Sequence, residues 1–192
     1  EADGIRYQAR SRVEFDGCLI QDLTYGPVDP ARPVRLEGLR WEVELPAEEA
    51  THFCTSAGGW TAIHDVLPNR WTSQQTGSGV LIGDFVPYIW INNGERAFLW
   101  FADNDKGWVT EPDRSIPTQE IVRKGDRVVL IVRLVEVPIE LKESRTLRQG
   151  WMVFPSRPLP PGFRSIICAT SREDFPGARA THFWFEGDWA VL

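Results

Sequence analysis

YIWINNGERAFLWFADNDKGW, residues 88–108, places two aromatic and β-branched runs on either side of Asn92-Asn93-Gly94. Rings and branched side chains suit a pleated, half-buried surface, and Asn-Gly between such runs is a strong hairpin signal. The stretch therefore predicts two antiparallel strands joined by a tight turn. An acidic loop follows, Asp103-Asn104-Asp105-Lys106-Gly107, and runs into Trp108. Strict alternation puts Tyr88, Trp90 and Asn92 on one face of the first strand and Ile89 and Ile91 on the other. In the second strand Phe98 and Trp100 share one face, Leu99 and Phe101 the other. One face is expected as core; the other is either an aromatic platform or a surface buried under a second layer.

Outward from this hairpin the same period of two dominates. Leu39, Trp41, Val43 and Leu45 alternate with Arg40, Glu42 and Glu44, the pattern of a half-buried strand with a charged outer face. Arg127–Val137 differs, because Val128, Leu130, Val132 and Leu134 occupy one side while Val129, Ile131 and Val135 occupy the other. Apolar residues on both faces predict a central strand covered from both sides. Lys124-Gly125-Asp126 reads as the turn that pairs it with Gln119–Arg123. Helical periodicity is nearly absent: Ala47–Phe53 is long enough for one turn, and Thr72–Gly83 reads as a polar loop entering a strand near Val80. Short strands spaced by Gly and Pro predict an all-β fold, a two-layer antiparallel β-sandwich with little helix.

A chain of 192 residues suits one domain whose core needs neither disulfides nor metals. The prolines Pro155, Pro158, Pro160 and Pro161 favour an extended segment near the end of the sandwich. The expected division is a sandwich over 1–164 and a tail over 165–192 that adds strands to it. No apolar run approaches the ~20 residues that span a bilayer, and no signal peptide is recognisable, so no membrane partner is expected. The chain starts at Glu1 without Met, which reads as a processed or excised product. A net charge of −6, with arginines interleaved among carboxylates, argues against a nucleic-acid partner. Cys18, Cys54 and Cys168 are too few and too scattered for a disulfide framework; three buried, reduced thiols are expected, with one bridge and one thiol left over as the alternative.

Several chemistries can be weighed residue by residue. Asp103-Asn104-Asp105-Lys106-Gly107 invites a calcium reading, but the EF-hand pattern fails at Gly107 and at Arg114, where a bidentate Glu belongs. Asp103 and Asp105 as a glycosidase acid/base pair would have to flank a substrate cleft. Two carboxylates in one loop more often shape the turn or face water. His52, His64 and His182 lack metal-ligand spacing, so no metal and no cofactor is expected. Gly77-Ser78-Gly79 fits neither a nucleophile elbow nor a dinucleotide fingerprint. What remains is the pairing of rings with short polar side chains, the chemistry of a sugar-binding surface. Trp100, Asp103, Asn104, Asp105, Lys106 and Trp108 are the carbohydrate-binding candidates, with Trp60 and Trp71 as second choices.

The run PYIWINNGERAFLWFADNDKGW, the apolar RVVLIVRLVEVPIEL, the stretch FPSRPLPPGFR and the earlier FDGCLIQDLTY together resemble the N-terminal β-sandwich domain of glycoside hydrolase family 123-like proteins. The resemblance spans Val13 to Arg164. It implies a domain that precedes a catalytic (β/α)₈ barrel, glycoside substrates that include 2-acetamido sugars, and an extracytoplasmic setting. The family places its acid/base work in the barrel, on an adjacent Asp-Glu pair, and no Asp-Glu dipeptide occurs in this chain. The implied role is a non-catalytic accessory domain that braces a barrel and lends a loop to the sugar-binding rim. A stand-alone carbohydrate-binding module and a protein–protein interaction sandwich are the alternatives, and no oligomeric state is expected from the sequence.

Overall fold

The computed structural model describes residues 4–56, 62–75, 85–111, 113 and 115–155. The chain divides into two compact units, Glu1–Arg157 and Pro158–Leu192, and most of the first lies among the described residues. The strands expected in the tail, together with Trp60, Val80, Cys168 and His182, fall outside them.

The fold is an all-β sandwich. Among the described residues its larger sheet holds seven strands in the spatial order β1 (Ile5–Val13), β2 (Leu19–Pro27), β13 (Arg145–Phe154), β9 (Ala97–Phe101), β8 (Tyr88–Asn92), β5 (His52–Ser56) and β6 (Ala62–Val66). The smaller sheet runs β4 (Leu39–Pro46), β11 (Arg127–Val135), β10 (Gln119–Lys124), β7 (Arg70–Thr72). A short ribbon pairs β3 (Val34–Leu36) with β12 (Ile139–Leu141). All these pairings are antiparallel.

The inner faces meet where the alternating apolar positions point. Trp100 lies opposite Ile89, and Phe98 opposite Ile91, so the inward face of the hairpin combines the isoleucines of one strand with the rings of the other. From the smaller sheet, Ile121 and Leu130 are cross-strand partners and both fully buried. Ring pairs join the layers: Trp41 of β4 meets Trp151 of β13 edge-on at 5.6 Å, and Phe53 of β5 meets Trp71 of β7 at the same separation. Trp71 is thus a core ring and not the ligand-facing one expected.

The turns follow their side chains. Asn92 Oδ1 accepts from Gly94 N and Asn93 Oδ1 from Glu95 N and Arg96 N, while Gly94 takes a φ of +86° that a side chain would resist. The Lys124–Asp126 turn joins β10 to β11 as expected. Strand β11 is buried on both faces, although Val129 and Ile131 stand outside the core cluster, flanked by Val122, Glu120, Glu44 and Glu42 of the same face. The strand ends at Val135, two residues short of expectation, because Val109 bridges to it there and accepts from Glu136 N.

Two further expectations are corrected. The helical turn over Ala47–Phe53 shrinks to a 3₁₀ turn at Ala47–Glu49, since Thr51 N already bonds Asn92 O and the chain continues as β5 between β8 and β6. Of the segment expected as a loop, Thr72 closes β7 and Ser73–Gln75 forms a 3₁₀ turn, with 76–84 outside the described residues. Cys18 and Cys54 are thiols outside any disulfide, half-buried rather than fully enclosed.

Candidate functional site

The outer face of the larger sheet carries the polar residues of β2 and β13 side by side. Asp22 and Arg148 are cross-strand partners, as are Thr24 and Thr146 one step along. Arg148 grips Asp22 with two parallel bonds, Nε to Oδ1 at 2.7 Å and Nη2 to Oδ2 at 3.0 Å, and the two threonine hydroxyls lie 2.9 Å apart. The hydrogen bond from Arg148 holds the Asp22 carboxyl below its ordinary range, with Arg12 and Arg10 adding to the effect. Arg148 is correspondingly raised, by Asp22 first and by Asp103 as a more distant contributor.

The loop after β9 arrives beside this pair. Lys106 N donates to Asn104 Oδ1 at 3.0 Å and Trp108 N to the backbone carbonyl of Asp105 at 3.0 Å, so one short side chain and one main-chain bond shape the turn. Gly107 has a φ of +84°, and a Cβ there would come within 3.1 Å of Leu147 Cδ2. Both conformation and space therefore call for glycine where the chain swings Trp108 inward. The half-buried Trp108 ring meets Phe85 edge-on at 5.4 Å and tilts against Trp100 at 6.2 Å.

Together these parts enclose a polar hollow of about 240 Å³. Asp103, Asn104, Lys106 and Trp108 line it from the loop; Asp22, Thr146 and Arg148 line it from the sheet. Its charges balance, two carboxylates against one guanidinium and one ammonium. A second hollow of about 280 Å³ adjoins it, sharing Asp103 and Arg148, and is lined by Ile20, Tyr88 and Phe101. Here lies the outward aromatic face of the hairpin, with Tyr88 opposite Phe101 across β8 and β9. The Phe101 ring lies over Gly150, where a Cβ would meet it at 2.2 Å.

Of the six candidate residues, four line the polar hollow. Asp105 is not among them; its carbonyl closes the turn to Trp108. Trp100 is corrected outright: its ring has no exposed surface and its Nε1 donates to Gln149 Oε1 at 2.9 Å, so it is a core residue on which no sugar can stack. Sequence reasoning missed Asp22, Thr146 and Arg148. The only local signal was polar alternation along QDLT and TLR, and which strands lie side by side is not written in either segment. Among the described residues no group of three or more His, Cys, Asp or Glu side chains gathers as a metal site. Compared with protein-family models and with curated proteins, the chain finds no match.

Proposed function

We propose that this sandwich is a non-catalytic carbohydrate-binding accessory domain of a glycoside hydrolase, holding one sugar unit in the polar hollow and a neighbouring unit on the Tyr88–Phe101 shelf. The observation that carries the reading is the meeting of Lys106, Asp103 and the Trp108 ring with the locked Asp22–Arg148 pair in one hollow. A pocket of about 240 Å³ is below the usual range of drug-sized ligands and suits a single ring. Both donors (Lys106, Arg148) and acceptors (Asp22, Asp103) line it, as hydroxyl groups require, and the balanced charge favours a neutral sugar over an acidic one. The aromatic shelf supplies flat apolar surface for the hydrogen-bearing face of the next ring. The glycoside hydrolase setting and the bracing of a catalytic barrel rest on the sequence resemblance alone.

Binding is expected to be weak, in the millimolar range, because the ordering of a flexible saccharide offsets most of the contact energy. Titration of neutral mono- and disaccharides, followed by Trp fluorescence and by ligand-observed NMR, should give saturable binding with the disaccharide favoured. Lys106→Ala and Asp103→Ala, both on exposed loop positions, should each weaken it about 3- to 10-fold, the loss of one hydrogen bond. Affinity unchanged in both variants would remove the hollow from the reading. The chain alone should not hydrolyse aryl glycosides, and turnover abolished by Asp103→Asn would instead make the loop an acid/base site.

A further inference from the structure

We propose that β1 is an acceptor edge for an acidic, extended peptide of another protein, which adds to the larger sheet as a further strand. Strand β1 pairs with β2 at all nine positions, Ile5↔Pro27 to Val13↔Leu19, and ends the sheet on that side among the described residues. Its other edge thus presents a row of backbone N–H and C=O groups. Sheets usually blunt such an edge by shortness, a bulge, a proline or charged side chains. β1 has only the last of these: it is long, its register is unbroken and it contains no proline, but it carries three arginines. Every residue except Ile5 is exposed.

The side chains of this edge specify what would be added. Arg6, Arg10 and Arg12 share one face, and Arg6 and Arg10 form no ion pair among the described residues. Arg10 lies opposite Asp22, but that carboxylate is already engaged by Arg148. Arg12 meets Glu14 at 2.6 Å in a pair exposed on both sides, which exchanges easily for another carboxylate. In a chain of net charge −6, this row is a local excess of positive charge. A second copy of β1 would set guanidinium groups against one another, so the row disfavours self-pairing and selects carboxylates.

The opposite face of β1 is apolar and open. Tyr7 is 64% exposed and Val13 66% exposed. Tyr7 borders a cleft of about 320 Å³ lined by Ile5, Tyr25, Leu36, Leu39 and Trp41, whose surface is almost wholly apolar. The buried indole N–H of Trp41 has no acceptor among the described residues. A peptide alternating carboxylate and apolar residues would place acids beside the arginines and apolar groups beside Tyr7 and the cleft. Its main chain would complete the edge. This is strand addition, with affinity from the backbone and specificity from alternate side chains.

The test uses the whole chain and a fluorescent nine-residue peptide alternating Glu and Val, read by anisotropy. A Lys/Val counterpart and two backbone-methylated forms, one carrying N-methyl at every Glu and one at every Val, complete the set. The Glu/Val peptide should bind saturably, and the Lys/Val peptide at least 10-fold more weakly. One methylated form alone should lose binding, because only alternate amides of an added strand face β1. The double variant Arg6→Glu/Arg10→Glu, on exposed positions, should reverse the preference between acidic and basic peptides. Equal binding of both methylated forms, equal binding of acidic and basic peptides, no binding at all, or dimerisation of the chain through β1 in sedimentation would each overturn the proposal.

Discussion

Strands β11 and β1 are both nine residues long and both lie in antiparallel sheets, yet they share almost nothing else. β11, RVVLIVRLV, sits between β4 and β10 and is buried at every position but Arg127 and Arg133. β1, IRYQARSRV, closes the edge of the other sheet and is exposed at every position but Ile5. A strand with neighbours on both sides must satisfy core and outer face at once, and only a continuous β-branched and leucine run does so. A strand with a neighbour on one side can carry charge on one face and stay available on the other. Stability is therefore concentrated around β11, and the proposed recognition surfaces are the outer face of the larger sheet and the edge that β1 forms among the described residues.

The contrast breaks first, if it breaks, at Leu130. It is fully buried at the centre of β11, and Leu130→Ala should cost about 2–5 kcal/mol in urea unfolding. A loss within ~0.5 kcal/mol would move the core elsewhere.

Glu120 should come second. Its carboxylate has only 8% exposed side chain and is held by Arg133 Nη2 and Arg70 Nε, each at 2.6 Å. Burial pushes its carboxyl up, but the bonds from Arg133 and Arg70 outweigh burial and leave it lowered. Glu120→Ala should cost about 2–4 kcal/mol, since it strands Arg133 in a poorly solvated position. A lowered folded-state value means the contribution is present above the ordinary carboxyl range near pH ~4.3 and is lost as pH falls through the folded value. The stability gap between wild type and Glu120→Ala should accordingly narrow on acidification below about pH 4. A gap that widens there would show that the pair does not stabilise the carboxylate.

Gly150→Ala tests the border between the two regions. The added methyl would enter the Phe101 ring, and overpacking of this kind costs about 1–3 kcal/mol. It should also displace the aromatic shelf and reduce any preference for disaccharide over monosaccharide. The smallest effect is expected at the edge: Arg10→Ala should change stability by no more than about 0.5 kcal/mol, as a solvated position does. A larger loss at Arg10 than at Glu120 would invert the comparison.

Several elements were legible in the residues. Asn92-Asn93-Gly94 announced its hairpin through side-chain acceptors that act within three positions. The alternation of Ile89 and Ile91 marked an inward face, and the continuous run of β11 marked a central strand. Other readings failed where distance intervened. Trp100 and Trp108 looked alike as rings near a polar loop, but Trp100 is on a strand whose partner register turns it inward, opposite Ile89. Trp71 looked like a loop ring and instead fills the space beside Phe53. Asp22 and Arg148 are separated by 126 residues, and nothing near either one identifies the other.

By itself, the sequence determined the strands β4, β8, β9, β10 and β11, the turns at Asn92–Gly94 and Lys124–Asp126, and the loop that would gather short polar groups. These follow from period-two patterning and from side chains bonding their own backbone, forces that act within a few residues. Tertiary structure alone decided which strands lie side by side, and with that which rings are core and which line a hollow. It also decided that Asp22 and Arg148 would complete the polar hollow, and that β1 ends its sheet among the described residues. Pairing is set by the mutual fit of whole faces across the sheet, and a one-residue change of register would send every side chain to the opposite side.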